Sequence, residues 1–184
     1  MIPAHPFVFL RHGENVYNRI GRIQGNRDVA LSDTGRAQAE AARQALAGAE
    51  VGTVCASPLL RARETADIVN QTLKRPLVVI DELAECGLGE LEGQHVPYRE
   101  WFPRWRAGTG WPEGAEAYEN FVARALRGVM TALGHPGPVL IGAHGGIYWS
   151  VQRALSLEEG AVIGNAVPLH HEPDADGWRV VQGT

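Results

Sequence analysis

Short apolar runs and longer amphipathic stretches alternate along this chain. Four runs are rich in β-branched or aromatic residues and are bounded by Pro, Gly or polar turns, which is typical of buried strands. These runs cover residues 7–10, 51–56, 77–80 and 139–142. Apolar residues at helical spacing predict helices over 33–49, 59–73, 116–133 and from about 146 to before 160. The alternation predicts an α/β sandwich.

Local signals refine two boundaries. Ser57 is expected to cap the helix at 59–73, with Pro58 at the first helical position, where a missing N–H is tolerated. Asp174-Ala175-Asp176-Gly177 has the composition of a hairpin turn. We therefore expect residues 162–169 to pair with 178–181 across it.

Composition and charge restrict the class of protein. The 184 residues suffice for one domain, and 45% hydrophobic with 21% charged residues is typical of a soluble globular chain. A net charge of −4 argues against a nucleic-acid partner. No apolar stretch approaches the ~20 residues of a membrane span, and the run at 7–10 is too short for a signal-peptide core. We expect a cytoplasmic protein with no membrane partner.

Two other features bear on cofactors and on a lid. Cys55 and Cys86 have no CxxC spacing, so neither a disulfide nor a zinc site is expected, and no metal or other cofactor is implied. Residues 87–114 are irregular, rich in Gly, and contain a cluster of aromatic side chains. The cluster consists of Tyr98, Trp101, Phe102, Trp105 and Trp111. It indicates either a lid over a site or a small satellite core.

Polar residues follow the predicted strands at their carboxyl ends, where ligands bind in open α/β sheets. Arg11-His12 follows the first strand, and His144-Gly145 follows the fourth. Arg61 falls in the first turn of the helix after the second strand, and Glu85 comes after the third. Singly, each has an ordinary explanation, such as capping or an ion pair of Arg61 with Glu64 or Glu85. Together they would form a pocket suited to a dianionic phosphate.

An ordered set of motifs carries a family resemblance. The motifs are Leu10-Arg11-His12-Gly13-Glu14 with Asn18; Gln24-Gly25 with Asp28, Leu31-Ser32, Gly35 and Gln38-Ala39; Ser57-Pro58-Leu59-Leu60-Arg61-Ala62 with Thr65-Ala66; Leu83-Ala84-Glu85 with Gly89 and Glu92-Gly93; Pro112-Glu113-Gly114 with Glu116; and Ala143-His144-Gly145-Gly146. Over nearly the whole chain, this order resembles the histidine phosphatase superfamily, also called phosphoglycerate mutase-like. The resemblance implies a single domain over 1–184, built as a three-layer sandwich with a mostly parallel central sheet and helices on both faces. It also implies a short lid insertion at about 87–114.

The resemblance also implies roles. His12 looks like the nucleophile that takes the phosphoryl group on a ring nitrogen, for which it must be neutral. Arg11, Arg61 and a protonated His144 look like a clamp over the phosphoryl oxygens, in place of the Mg²⁺ of other phosphoryl-transfer sites. The expected activity is hydrolysis of a small phosphorylated metabolite through a phosphohistidine intermediate.

Further roles follow from the same resemblance. Glu85 resembles the general acid that protonates the leaving oxygen and then, as a base, activates water. Glu82 is the substitute if the register differs. Asn18 and the N–H of Gly145 are similar to the family's additional phosphate donors. The candidates for contact with the rest of the substrate are Gln24, Trp101 and Trp105.

Three alternatives stay open at this point. A cofactor-dependent phosphoglycerate mutase must hold a second acidic group, for which the insertion offers Arg99, Arg104 and Arg106. A non-catalytic binding module would have gaps in the constellation, and none is present. Cys55 and Arg61 have the C-x₅-R spacing of cysteine-dependent phosphatases, but the loop between them has no Gly and contains Pro58.

Overall fold

A six-stranded sheet forms the centre of the protein in a computed structural model that describes residues 2–110, 112–158 and 162–182. The strand order is β3-β2-β4-β1-β5-β6. The strands are β1 (Phe7–Arg11), β2 (Thr53–Ala56), β3 (Leu77–Val79), β4 (Val139–Ala143), β5 (Pro168–Asp174) and β6 (Gly177–Gln182). β3, β2, β4 and β1 run parallel to one another. β5 pairs antiparallel with β1, and β6 pairs antiparallel with β5. The predicted mostly parallel α/β sheet is confirmed.

Helices cover both faces of this sheet. They are α1 (Val16–Arg19), α2 (Asp33–Ala45), α3 (Leu60–Leu73), α4 (Tyr98–Arg106), α5 (Tyr118–Leu133) and α6 (Gly145–Ala154). The sheet and the helices on its two faces make three layers. Successive side chains of β1 point to opposite faces of the sheet, so the strand contributes to the core on each side. Phe7 and Phe9 join the core with residues of α4, α5 and α6, whereas Val8 and Leu10 join a second core with residues of α2 and α3. None of the helices in the described ranges is long and apolar enough to cross a membrane.

The structure corrects three predicted boundaries. α2 ends at Ala45, before Gly48, whose φ of +89° suits the turn that follows. α3 begins at Leu60 with Leu59 as its N-cap, so Ser57 does not cap it. The hairpin strand predicted over 162–169 lies instead at β5. The prediction was misplaced because the polar run after Leu169 obscures the alternation of buried and exposed positions in the sequence. The turn at Asp174–Gly177 is where the composition placed it.

The insertion at 87–114 contains a helix, α4, that the sequence analysis did not predict. Phe102 and Trp105 on α4 are buried in the core of α5, and the indole N–H of Trp105 donates to the carbonyl of Glu116 at 2.7 Å. Trp101 packs at the edge of the same core. Trp111 lies outside the described residues. One side of this segment is therefore part of the main core rather than a separate satellite.

A buried histidine makes the fold sensitive to acid. His171 stacks on Phe7 with ring centroids 4.3 Å apart, and its Nε2 bonds to the hydroxyl of Tyr148 at 3.1 Å. Burial lowers the pKa of His171 from 6.5 to about 4. Below pH 6.5 the unfolded chain binds a proton here and the folded chain does not, so the free energy of unfolding falls by up to about 3 kcal/mol between pH 6.5 and 4.

Urea unfolding at pH 7 and pH 4.5 measures this loss. We expect His171→Gln to flatten the pH dependence relative to the native protein. His135→Gln, in the turn before β4, is the control and should leave the dependence as it is. An equally steep dependence in His171→Gln and in the native protein would contradict the assignment.

Candidate active site

The parallel strands bring the sequence-predicted residues to one edge of the sheet. β1 pairs with β4 so that Arg11 lies opposite Ala143, which places His12 beside His144. The N–H of His12 donates to the carbonyl of Ala143 at 3.0 Å, and the two imidazole centroids are 5.3 Å apart. β2 pairs with β4 on the other side, which adds the start of α3. Residues more than 130 positions apart thus share one edge.

The imidazole of His12 is held in one tautomer. Its Nδ1 lies 2.7 Å from the carbonyl oxygen of Gly13, and because a carbonyl only accepts, Nδ1 carries the hydrogen. Nε2 is therefore left with a free lone pair. Burial, and then the charges of Arg61 and Arg11, hold the pKa of His12 well below 6.5. The ring is neutral at physiological pH, as a nitrogen nucleophile must be.

The backbone around His12 is fixed from three sides. Gly13 N–H donates to the hydroxyl of Thr65 at 3.0 Å, and Asn165 Nδ2 donates to the His12 carbonyl at 2.8 Å. A Cβ on Gly13 would overlap the carbonyl oxygen of Gly35, so only glycine fits there. These contacts fix the backbone from which the imidazole extends.

Two guanidinium groups flank His12 and are oriented by backbone carbonyls. Arg11 donates to the carbonyl of Ile163 at 2.7 Å. Arg61 donates to the carbonyls of Arg27 and Gly25 at 2.8 and 2.9 Å. The Nε atoms of both arginines are buried and unpaired among the described residues. The carbonyls fix each group without neutralising it, so its positive charge remains available to an anion.

The charge of His144 depends on whether an anion occupies the site. Burial, followed by the charges of Arg61, His12 and Arg11, holds its pKa well below 6.5, so the ring is neutral in the ligand-free protein rather than protonated. Nε2 lies 2.7 Å from the hydroxyl of Ser57, and Nδ1 is buried with no partner in the described part of the chain. A bound dianion would raise this pKa, because a nearby negative charge favours the imidazolium.

Glu85 enters the same site from the loop after β3. One carboxylate oxygen accepts from the N–H of Cys86 and the other from the N–H of Gly146, both at 3.0 Å. Arg124 donates to the carbonyl of Glu85 at 3.2 Å and to two earlier carbonyls of the loop. Glu82 does not line the cavity, so the structure places Glu85 and not Glu82 beside His12.

Glu92, part of the motif Glu92-Gly93, has a structural role that the sequence did not reveal. One oxygen of its carboxylate accepts from the N–H groups of Asn26 and Leu88, at 2.9 and 3.0 Å. A Cβ on Gly25, where φ is +52°, would overlap that oxygen. Glu92 therefore ties the insertion to the segment whose carbonyls hold Arg61.

The remaining polar candidates are placed differently from one another. Gly145 and Gln24 line the cavity, whereas Asn18 does not. The Oδ1 of Asn18 accepts from the N–H of Asn15 at 3.2 Å, within the cap of α1. Asn15 Nδ2 in turn donates to Gln24 Oε1 at 2.5 Å. Asn18 is thus connected to the cavity through Asn15 and Gln24.

A cavity of about 530 Å³ extends from these groups. Trp101 lines it, whereas Trp105 is fully buried in the core, which corrects the prediction that Trp105 contacts substrate. Arg99, Arg104 and Arg106 do not line it. Nothing in the sequence indicated that several other residues line the cavity, among them Arg22, His95, Trp149 and Ile163. Trp149 was hidden because its spacing on α6 also suits a core position.

Two further sequence candidates can be placed. The thiol of Cys55 is buried on β2, near the carbonyl of Ala132 and outside the cavity, and burial raises its pKa to about 11. Glu64 bonds to Arg36 at 2.7 Å. Within the described ranges, no group of three or more His, Cys, Asp or Glu residues is arranged to hold a metal ion.

Comparison with known proteins shows the family. The model described as histidine phosphatase superfamily (branch 1) matches residues 7–182. A glucosyl-3-phosphoglycerate phosphatase from Mycolicibacterium vanbaalenii is 34% identical over 163 residues, which cover 80% of this chain and 72% of that protein. An acid phosphatase from Mycobacterium tuberculosis is 38% identical over 147 residues, 77% of this chain and 70% of its own. A 2,3-bisphosphoglycerate-dependent phosphoglycerate mutase from Gloeobacter violaceus is 30% identical over 193 residues, which cover 92% of this chain and 86% of that protein.

Solved structures agree. A mycobacterial glucosyl-3-phosphoglycerate phosphatase in complex with VO3 superposes with a TM-score of 0.78 at 27% identity, covering 98% of both chains. The chain belongs to the histidine phosphatase superfamily. Phosphatase names outnumber mutase names among these relatives, so the predicted enzyme class, a phosphomonoester hydrolase, is confirmed.

Gly146→Ala tests the placement of Glu85. The added Cβ would overlap Oε1 of Glu85, so the carboxylate must move away from the site. We expect kcat for a phosphomonoester to fall by about 10²-fold, the lower end of the usual contribution of a general acid, while inhibition by vanadate, a phosphate analogue, persists. Gly134→Ala is the control, since its Cβ would meet nothing closer than 3.3 Å at the far end of α5. An unchanged kcat in Gly146→Ala would show that the position of Glu85 does not matter.

Proposed function

We propose that His12 and Glu85 carry out phosphomonoester hydrolysis in two steps. Nε2 of His12 attacks phosphorus, the ester P–O bond breaks, and Glu85 gives its proton to the leaving oxygen, which departs as the alcohol. Water then attacks the phosphohistidine, Glu85 takes a proton from it, and the N–P bond breaks to release phosphate. His12 returns to its neutral state, ready for a second turnover.

The tautomer of His12 is the observation that carries this proposal. With Nδ1–H donating to Gly13 at 2.7 Å, the lone pair of Nε2 is the ring's free nucleophile. Nothing in a purely binding role requires a buried imidazole to be held neutral between two arginines. Phosphoryl transfer requires this, because a protonated ring has no lone pair to give.

The positive charges around His12 support stabilisation of the transferring phosphoryl group. Negative charge accumulates on the phosphoryl oxygens during transfer, and preorganised donors stabilise it best where water is excluded. Arg11 and Arg61 supply such donors, and Gly145 lies with them on the cavity at the start of α6, where the helix dipole also favours an anion. His144 does not line the cavity; it is buried directly before Gly145, close enough to respond to an anion bound there. His144 takes up its proton when the dianion binds and so becomes a cationic member of the clamp.

The cavity favours hydrolysis over transfer between positions of one substrate. A mutase has to bind a second acidic group of its substrate while the phosphohistidine intermediate persists. The three insertion arginines that the mutase alternative depended on do not line the cavity, and Arg22, which does, is exposed. A volume of about 530 Å³ suits a small phosphorylated metabolite. We infer that such a molecule is the substrate.

Replacement of His12 tests the covalent step. We expect His12→Ala to lose at least ~10³-fold in kcat on p-nitrophenyl phosphate, because the nucleophile is gone. Stopping the native enzyme in alkali during turnover of a ³²P-labelled ester should trap label on His12, located by peptide mapping. His135→Ala is the control and should retain both activity and labelling. Full activity in His12→Ala, or label on another residue, would contradict the proposal.

A product assay separates hydrolysis from mutase transfer. With 3-phosphoglycerate and a 2,3-bisphosphoglycerate primer, we expect free phosphate to form and 2-phosphoglycerate to stay below a few per cent of the products, because the described residues offer no buried second anion site in the cavity. Enzyme-coupled assays measure both products in one reaction. Production of 2-phosphoglycerate faster than free phosphate would establish the mutase alternative.

A further inference from the structure

One side of the cavity, beyond the phosphate end, is aromatic. Tyr98 and Trp101 of α4 and Trp149 of α6 line it. The ring of Tyr98 lies 5.5 Å from that of Trp101 and 5.3 Å from that of Trp149, between centroids. The three rings therefore form one continuous surface, which we call the aromatic wall.

The aromatic wall is supported from behind. Phe102 stacks on Tyr98 at 4.3 Å, lies 4.7 Å from Trp149, and is itself buried. Trp105 anchors α4 in the core through its packing and its hydrogen bond to the Glu116 carbonyl. A surface held in this way is formed before any ligand arrives, so little ordering opposes binding.

Helix α6 fixes the distance from the phosphate end to the aromatic wall. Gly145 is the first residue of α6, and Trp149 follows four residues later, on the same face. Four residues of helix rise about 6 Å. A ring joined to the ester oxygen directly or through one or two carbons can therefore contact Trp149 while its phosphate occupies the site at Gly145.

The cavity also has an aliphatic lining. Ile23, Leu88 and Ile163 contribute to it. Apart from Glu85, no carboxylate of the described residues does so, and Arg22 and His95 are both exposed. Few buried polar groups are present to replace the water around sugar hydroxyls, and a polar group buried without a partner is costly. A flat apolar group meets no such penalty here.

We propose that this site selects phosphomonoesters whose alcohol carries a planar apolar ring within one or two carbons of the ester oxygen. The selection rests on the proposed function, since it concerns the alcohol part of the same substrate. The ring packs on the aromatic wall, in the offset or edge-on geometries that aromatic pairs prefer. Trp149 is the residue that determines specificity most directly, because it shares a helix with the phosphate site.

A pair of matched esters tests the selection. Benzyl phosphate and ethyl phosphate both release a primary alcohol, so they differ chiefly in the ring. We expect kcat/KM to be about 10- to 100-fold higher for benzyl phosphate, the range that apolar pocket contacts usually give. Trp149→Ala should reduce this ratio several-fold, and Trp149→Phe should keep most of it. Met130→Ala, on the exposed side of α5, is the control and should keep the native ratio.

Ligands that cannot be hydrolysed separate this inference from the proposed function. Benzylphosphonate and ethylphosphonate lack the ester oxygen and carry the same organic groups directly on phosphorus, so they cannot be hydrolysed and calorimetry measures their Kd without turnover. Tighter binding of benzylphosphonate than of ethylphosphonate, with the difference lost in Trp149→Ala, supports the selection even if neither ester is hydrolysed. Absence of hydrolysis of both esters would overturn only the proposed hydrolysis. A native ester ratio near one, or a higher kcat/KM for glucose 6-phosphate than for benzyl phosphate, would overturn the selection while His12-dependent hydrolysis stands.

Discussion

Positive charge held next to neutral imidazoles is the constraint on which the site depends. Arg61 is buried and Arg11 half-buried, and both are oriented by carbonyl dipoles rather than by carboxylate partners. Their charges help to keep the pKa values of His12 and His144 well below 6.5. A phosphate dianion supplies the missing counter-charge. The arrangement is costly for an empty site and favourable for an occupied one, as is common where function and stability compete.

The order of the sheet makes this arrangement possible. β4 lies between β1 and β2, and all three run parallel, so their carboxyl ends meet at one edge. α6 begins directly after His144 and serves three purposes with one set of residues. Its first N–H groups face the phosphate end, the N–H of Gly146 holds Glu85, and Trp149 one turn later carries the aromatic wall. The proposed general acid, the proposed anion site and the proposed surface for the alcohol are therefore fixed relative to one another.

The insertion shows how one helix can belong to both the core and the site. The composition of the insertion indicated either a lid or a satellite core. In the structure, α4 buries Phe102 and Trp105 in the main core and presents Tyr98 and Trp101 to the cavity. Composition alone could not assign these four side chains, because the phase of the helix depends on how Pro97 and the core of α5 position it. The same uncertainty led to Trp105 being named as a substrate contact in place of Trp149.

The sequence by itself determined the parallel strands, the longer helices and the chemistry at the strand ends, but not α4. A strand buried on both faces appears as an uninterrupted apolar run, and the residues that follow it, such as Arg11-His12 and His144-Gly145, are then placed at the sheet edge by topology rules. Only the tertiary structure decided the tautomer of His12, the neutral state of His144, the amides that hold Glu85 and the ring that faces the cavity. Each of these depends on distances between atoms from separate elements, and on the water that packing removes, neither of which is encoded in any local stretch of residues.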